Sequence, residues 1–389
     1  MWDNFKDILK ENSGIFSIGF GESAGKVISA IFWFLLAGIL GPEKYGEIHY
    51  LLAIAGMAQI FALIATSQTM TVYTAKNVKI ESTLILISII AGSIAFLVII
   101  MNFYMFDVAF LVFAFIIFEL TNGILLGRRQ YSIYSKYFLT QKILLFVLGI
   151  GFFYQFGFEG IIFGMALSYV PHLIIILKEM KQTKINFSLL NPRKGFIINN
   201  YATVLSGSFA SQIDKFIIVP ILGFTILGEY SLSMQILVIL SIGNGIIFKY
   251  LLPQDSIGIR NKNLKKMAIV FSIAIACFGA IVLPMIIPTI FPEYEETVDA
   301  IKILSWTVIP EMLILIYTSK LLGLEKSKFV LISNIISTTV LIMGMIVLGP
   351  IFGILGIVSM VLISTCIQLL ILIIGKRDVE GKLNYKKYE

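Results

Sequence analysis

Charged side chains are scarce in this sequence. They make up 14% of its 389 residues, whereas hydrophobic residues make up 58%. A soluble domain needs polar positions every few residues to cover its surface, so this composition excludes soluble classes. The two cysteines, Cys277 and Cys366, are too few for a disulfide framework, and His49 and His172 lack metal-ligand spacing. We therefore expect no metal site, no cofactor and no catalytic residue.

Apolar runs of about 20 residues, the length that crosses a bilayer, follow one another along the chain. They predict an all-α membrane protein of about 12 transmembrane helices, arranged as two parallel pseudo-symmetric six-helix bundles around a central cavity. The predicted helices are 14–40, 47–70, 82–101, 107–127, 136–156, 159–177, 198–222, 228–251, 266–290, 300–322, 328–348 and 351–375.

Three parts of the chain follow from this pattern. Residues 1–13 are of mixed charge and place Trp2, Phe5 and Leu9 on one helical face, which predicts an interfacial helix rather than a cleaved signal. Residues 14–185 are the expected N-terminal bundle and residues 186–389 the expected C-terminal bundle.

The positions of lysine and arginine predict the orientation, because short basic loops stay in the cytoplasm. Alternate loops gather these residues around 6–10, 76–79, 128–136, 178–194, 249–266, 320–328 and 376–387. The opposite side has only Lys44 and Lys302. We therefore expect both termini in the cytoplasm. The basic residues are spread over many short loops, so a nucleic-acid partner is not expected.

The two halves of the chain share short motifs. Ile-Leu-Gly ending at Gly41 is followed by Gly46-Glu47, and the same pattern ends at Gly223 and continues with Gly228-Glu229, an offset of 182 residues (223 minus 41). Later matches, such as Gly157 with Gly353, are offset by 196 (353 minus 157). Six helices per repeat give parallel repeats, an architecture of transporters that work by alternating access.

Two stretches carry a family resemblance. Residues 34–46 (FLLAGILGPEKYG), preceded by GESAG at 21–25, resemble the first-helix signature of Wzx-type polysaccharide-biosynthesis flippases. Residues 211–215 (SQIDK) and 223–230 are similar to the seventh helix of that family and its exit. The family belongs to the multidrug/oligosaccharidyl-lipid/polysaccharide exporter superfamily, and the twelve-span layout agrees over nearly the whole chain.

The resemblance implies a non-enzymatic flippase of the plasma (cell or inner) membrane. Its substrate would be a polyprenyl-diphosphate-linked oligosaccharide, moved from the cytoplasmic to the outer leaflet during cell-surface polysaccharide biosynthesis. The expected partners are this lipid-linked glycan, membrane lipids, a coupling ion (H⁺ or Na⁺) and glycan-assembly proteins.

Ionisable residues in the middle of a span cost roughly 2.5–3.5 kcal/mol each, so they mark candidate sites. Lys26, Lys215, Glu22 and Asp214 are the candidates for substrate binding in the cavity. Glu22 and Lys26 are four residues apart, which also fits an internal ion pair. Asp214 and Lys215 are adjacent and point about 100° apart, so they cannot share one exposed face, and the alternative to a cavity role is that each pairs with another helix.

Glu119 and Glu311 lie on pseudo-equivalent helices and are the ion-coupling candidates, with structural pairing as the alternative. Four acidic and two basic residues among these six do not make a plainly cationic cavity. Lys142, Arg128 and Arg129 either add positive charge at its cytoplasmic mouth or only set the topology.

Three other functions remain open from the sequence. The acidic excess fits an ion-coupled multidrug-type exporter of small compounds from the same superfamily. A membrane glycan polymerase or ligase would need a sizeable outer loop, and here no predicted outer loop exceeds about 15 residues. The third is a non-transporting scaffold of a glycan-assembly complex, and a cavity lined by Lys26 or Lys215 would argue against it.

Overall fold

The structure is a computed structural model that describes residues 13–64, 66–256, 261–324 and 326–385. These residues form helices and connecting turns, without a strand, which confirms the all-α class. Residues 1–12, and with them nearly all of the predicted interfacial helix, lie outside the described ranges.

Seven α-helices precede residue 187, in the order of the chain. They are α1 (Ser13–Ala62), α2 (Ser67–Ala75), α3 (Glu81–Phe103), α4 (Phe106–Gly127), α5 (Tyr131–Phe156), α6 (Phe158–Leu167) and α7 (Val170–Gln182).

Eight further α-helices follow, with short 3-10 turns at Phe187–Leu189, Asn191–Arg193 and Ser305–Thr307. They are α8 (Lys194–Ala210), α9 (Ile213–Leu240), α10 (Ile242–Ser256), α11 (Lys262–Ile281), α12 (Leu283–Ile290), α13 (Glu295–Leu304), α14 (Val308–Gly323) and α15 (Ser327–Tyr385).

Nine helical segments within the described ranges are long and apolar enough to cross a membrane. Three of these, Ile18–Ala62, Phe187–Leu240 and Lys328–Lys376, each contain a glycine at which the helix turns. Dividing them there gives twelve segments (nine plus three), which correspond to the twelve predicted helices.

Glycines at matched positions of the two repeats make these turns. Gly41 has φ 70° and Gly223 has φ 83°, and the later pair, Gly157 and Gly353, have φ 71° and 58°. This left-handed region favours glycine because it has no Cβ to clash. The motif pairs found in the sequence therefore mark backbone turns of the same kind.

Several predicted helices are interrupted, which the sequence pattern did not show. Within predicted helix 47–70 one helix ends at Ala62 and the next begins at Ser67, while 198–222 breaks at 211–212 and 228–251 breaks at Ser241. Predicted helices 159–177 and 266–290 are also divided, at 168–169 and at Val282. Continuous hydropathy hides such breaks, because backbone polar groups freed inside a protein can be satisfied by side chains instead.

The chain divides into two compact units. The first contains the chain up to Leu35 and Leu51–Ile213, and the second contains Leu36–Tyr50 and Asp214–Glu389. The domain boundaries expected from the sequence, at 13 and 185, stay a prediction.

Two helical corners pack face to face inside the second unit. A Cβ at Gly46 would collide with the carbonyl oxygen of Phe224, and a Cβ at Gly228 would collide with that of Pro42. The 182-residue offset converts one contact into the other (42 to 224 and 46 to 228). The repeat therefore forms a reciprocal contact, like the two halves of a symmetric dimer interface.

Tyr294 packs beside this corner in the same unit. Its side chain is fully buried, and its hydroxyl donates to the Ala37 carbonyl over 3.0 Å. Burial raises the pKa of Tyr294, so the hydroxyl keeps its proton and remains a donor. This hydrogen bond fixes the loop before α13 on the C-terminal end of the first span.

Candidate functional site

Lys26 lies in the middle of the first span. It is 13 residues from the start of α1, about 20 Å along the helix. Gly21 and Gly25 lie on another face of α1, which packs against α5. Cβ atoms added at these two glycines would contact Ser135 and Phe138. Lys26 is exposed and forms no hydrogen bond or ion pair with the residues that the structure describes.

Glu22 is held by a different group. Its carboxylate accepts a hydrogen bond from the Tyr134 hydroxyl at 3.5 Å. The internal Glu22–Lys26 pair considered from the sequence is therefore not formed in the structure. The amine of Lys26 is available to an anion.

Lys142 approaches the same point from α5. Its Cγ would lie 3.2 Å from a Cβ at Gly25, the residue before Lys26, and its Nζ lies 5.4 Å from the Phe138 ring centroid. Eleven residues separate it from the start of α5, about 17 Å along the helix. Lys142 has no carboxylate partner among the described residues. Two mid-span lysines therefore lie on neighbouring helices of the first unit.

Arg128, considered with Lys142 from the sequence, has a different environment. Its guanidinium pairs with Glu179 at 2.5 Å, and Glu179 is buried. This ion pair joins the end of α4 to α7. Arg129 follows in the turn between α4 and α5, with φ 57°.

Asp214 and Lys215 pair with each other in the second unit. Lys215 Nζ lies 2.9 Å from Asp214 Oδ1, and the Tyr230 hydroxyl donates to Asp214 Oδ2 over 3.0 Å. This contact between the two was not predicted from the sequence, where a cavity role was weighed against pairing of each residue with another helix. Asp214 is in the first turn of α9, and the four-carbon stem of lysine is long enough to fold back to it.

The break between α1 and α2 is built from polar side chains. The Thr66 hydroxyl caps α2 by accepting from the Thr69 amide at 3.2 Å. Asn200, on α8, donates to the hydroxyls of both Thr66 and Thr69 over 2.8 Å. Thr66 and Thr69 are buried, so specific hydrogen bonds to their hydroxyls stabilise the break in this span.

Glu119 opens into a cavity at this break. The cavity has a volume of about 350 Å³ and lies wholly within the first unit. Its lining consists of Gln59, Ile60, Leu63, Thr66, Ser67, Gln68, Glu119, Val204 and Ser208. Within the described ranges, the Glu119 carboxylate has no hydrogen-bond or ion-pair partner.

Glu311 lies beside the corresponding break in the second unit. Ser241, between α9 and α10, donates to its carboxylate over 2.5 Å, and Asn244 also hydrogen-bonds to it. Asn244 donates further to the Val308 carbonyl at 3.1 Å. Each unit therefore places one carboxylate where its second span is interrupted. The ion-coupling role of Glu119 and Glu311 stays a prediction.

Apart from Glu119, the residues that line the cavity were not identified from the sequence. Gln59, Ser67 and Gln68 are polar residues inside or beside an apolar run, and this was the only local signal. Asn200 and Ser208 come from a distant segment that only the folded chain brings to the break.

No protein-family model and no curated protein matches the chain. Solved structures match its fold. The lipid II flippase MurJ, in an inward closed conformation, superposes with a TM-score of 0.77 at 12% identity, covering 92% of this chain and 87% of that one.

Two MATE structures are also similar. An inward-facing multidrug resistance MATE family transporter of the MOP superfamily gives a TM-score of 0.68 at 14% identity, over 92% of this chain and 95% of that one. MATE in complex with MaL6 gives 0.66 at 13% identity, over 95% and 96%. The chain has the fold of MOP-superfamily transporters.

Proposed function

We propose that this chain is a membrane transporter that flips a polyprenyl-diphosphate-linked oligosaccharide to the outer leaflet by alternating access. The observation that carries the proposal is the pair of mid-span lysines, Lys26 and Lys142, without carboxylate partners in the described ranges. Unpaired charge inside a membrane is costly and typically serves a substrate.

A diphosphate complements the positive charge of these lysines. It presents several acceptor oxygens to two ammonium groups, while its polyprenyl chain stays among lipids. The fold shared with a protein described as a lipid II flippase is compatible with such a cargo.

The alternative is an ion-coupled exporter of small compounds, as the MATE neighbours are described as multidrug resistance transporters. The carboxylate of Glu119, open to a cavity, favours it. A cationic cargo would be repelled by Lys26 and Lys142, so the two lysines separate the alternatives.

We expect Lys26→Ala and Lys142→Ala each to lower glycan export about tenfold or more. A hydrogen bond to a charged group contributes roughly 1.5–3 kcal/mol, and 1.4 kcal/mol is a factor of ten. Lys→Arg at either position should keep part of the export, because the charge remains while the donor geometry changes. Each variant is expressed in cells that lack the native gene, and the measurement is the amount of lipid-linked glycan retained on the cytoplasmic side of the membrane.

Lys136→Ala is the matched control, because Lys136 is exposed on the same helix as Lys142, near its start. It should export normally, and all variants should reach the membrane in equal amounts. Full export by a Glu22→Gln and Lys26→Met double variant would show that no phosphate is bound by Lys26.

A further inference from the structure

We infer that the cavity at the break between α1 and α2 binds the saccharide headgroup of the cargo through the carboxylate of Glu119. The ligand class is a polyhydroxylated ring, with or without an amino group. This inference rests on the proposed function and deepens it.

The comparison of the two carboxylates supplies the first step. In the second unit, Ser241 and Asn244 donate hydrogen bonds to Glu311. At the offset of 182 residues, Ser241 corresponds to Gln59 and Asn244 to Ala62. Alanine has no side-chain donor, and no described residue donates to Glu119. An ionised carboxylate only accepts hydrogen bonds, so a ligand or water in the cavity can supply the donors that the described residues do not.

The size of the cavity supplies the second step. A volume of about 350 Å³ holds about ten waters at roughly 30 Å³ each. It also falls within the range of ~300–1,000 Å³ seen for small-molecule sites. A bare monovalent ion held by direct ligands needs far less space.

The chemistry of the lining supplies the third step. Two primary amides, Gln59 and Gln68, and the hydroxyls of Ser67 and Ser208 line the same cavity as Glu119. Amides and hydroxyls both donate and accept, which matches the alternating groups of a sugar ring. The lining residues that the structure describes include no cation, so this lining does not suit a phosphate. Headgroup and diphosphate would therefore be recognised by different residues of the first unit.

The test uses the purified full-length chain and four free sugars: glucose, galactose, N-acetylglucosamine and glucosamine. Thermal unfolding is followed by tryptophan fluorescence with each sugar at about 50 mM. With a Kd of about 1 mM, mass action should raise the unfolding midpoint by a few degrees for at least one sugar. The shift should disappear in Glu119→Gln and in Ser208→Val, which narrows the cavity.

Lys26→Ala should keep the shift, because a free sugar carries no phosphate. Loss of export in that variant without any Glu119-dependent sugar shift would remove this site and leave the flippase proposal intact. Normal export in the lysine variants together with a Glu119-dependent shift would overturn the flippase proposal and leave the saccharide site intact. A Glu119-dependent shift with NaCl but not KCl, and none with the sugars, would overturn the saccharide site in favour of a sodium site.

Discussion

Lys215 shows how a single contact changes the role inferred for a charged residue. From the sequence it was a candidate to bind substrate, but its ammonium is 2.9 Å from Asp214 and only 18% of its side chain is exposed. Asp214 is further held by the Tyr230 hydroxyl. These contacts favour a structural pair, whereas Lys26 has no partner among the described residues.

Removal of one member of this pair should destabilise the protein. Lys215→Met leaves Asp214 mostly buried and without its cation, with hydrogen bonds from the Tyr230 hydroxyl and the backbone N–H of residue 215, a change that typically costs about 3–5 kcal/mol. The double variant Asp214→Asn and Lys215→Met should recover most of the lost stability, since no unpaired charge remains. Thermal midpoints of the purified variants measure this.

Export by the same double variant decides the role of Lys215. A structural pair predicts normal export once stability is restored. Recovered stability with export still lost would instead assign Lys215 to the substrate, as the sequence had predicted.

At the scale of elements, the corner of the second unit depends on two glycines. Gly46 and Gly228 let the backbone of one helix touch a carbonyl of the other, so a methyl group at either position collides with backbone rather than with a movable side chain. The two contacts are related by the repeat, so both substitutions should act in the same way.

We expect Gly46→Ala and Gly228→Ala each to cost on the order of 3 kcal/mol or more, because the two helices must separate. Gly245→Ala is the matched control, since a Cβ there meets no atom within 4 Å. It should be neutral or should stabilise by up to about 1 kcal/mol through helix propensity. Equal thermal midpoints for all three variants would contradict the reciprocal contact.

The broken spans are a second property of elements. Asn200 supports the break between α1 and α2 from a distant helix, whereas Glu311 accepts from residues at the break of the second unit. A broken span exposes backbone polar groups that a membrane cannot satisfy, so such breaks occur where protein or ligand supplies partners. This is the physical reason that the cavity lies there.

At the scale of the whole molecule, the orientation in the membrane remains a prediction from the basic loops. Cys277 and Cys366 are free cysteines and would first be replaced by alanine. In that background, Glu43→Cys should react with a membrane-impermeant maleimide added outside intact cells, and Lys181→Cys should react only after permeabilisation. Labelling of position 181 from outside would reverse the orientation.

The sequence by itself determined the all-α class and the apolar segments, but not the points at which several of them break. Long apolar runs predict spans regardless of what they pack against, because each helix satisfies its own backbone hydrogen bonds. The glycine motifs around Gly41 and Gly223 were also readable, since a left-handed turn is a local property of the backbone. Lys26 and Glu119 could be identified as candidates because a charged residue within an apolar run is recognised from the sequence alone.

Only the tertiary structure decided which of these charges have partners. The contacts of Lys142 with Gly25, Tyr134 with Glu22 and Asn200 with Thr66 join residues more than 100 positions apart. No local pattern encodes such distances, because hydrogen bonds between helices depend on how the helices rotate and pack. For the same reason the cavity beside Glu119, which combines a broken helix with side chains of two others, was not foreseeable from the sequence.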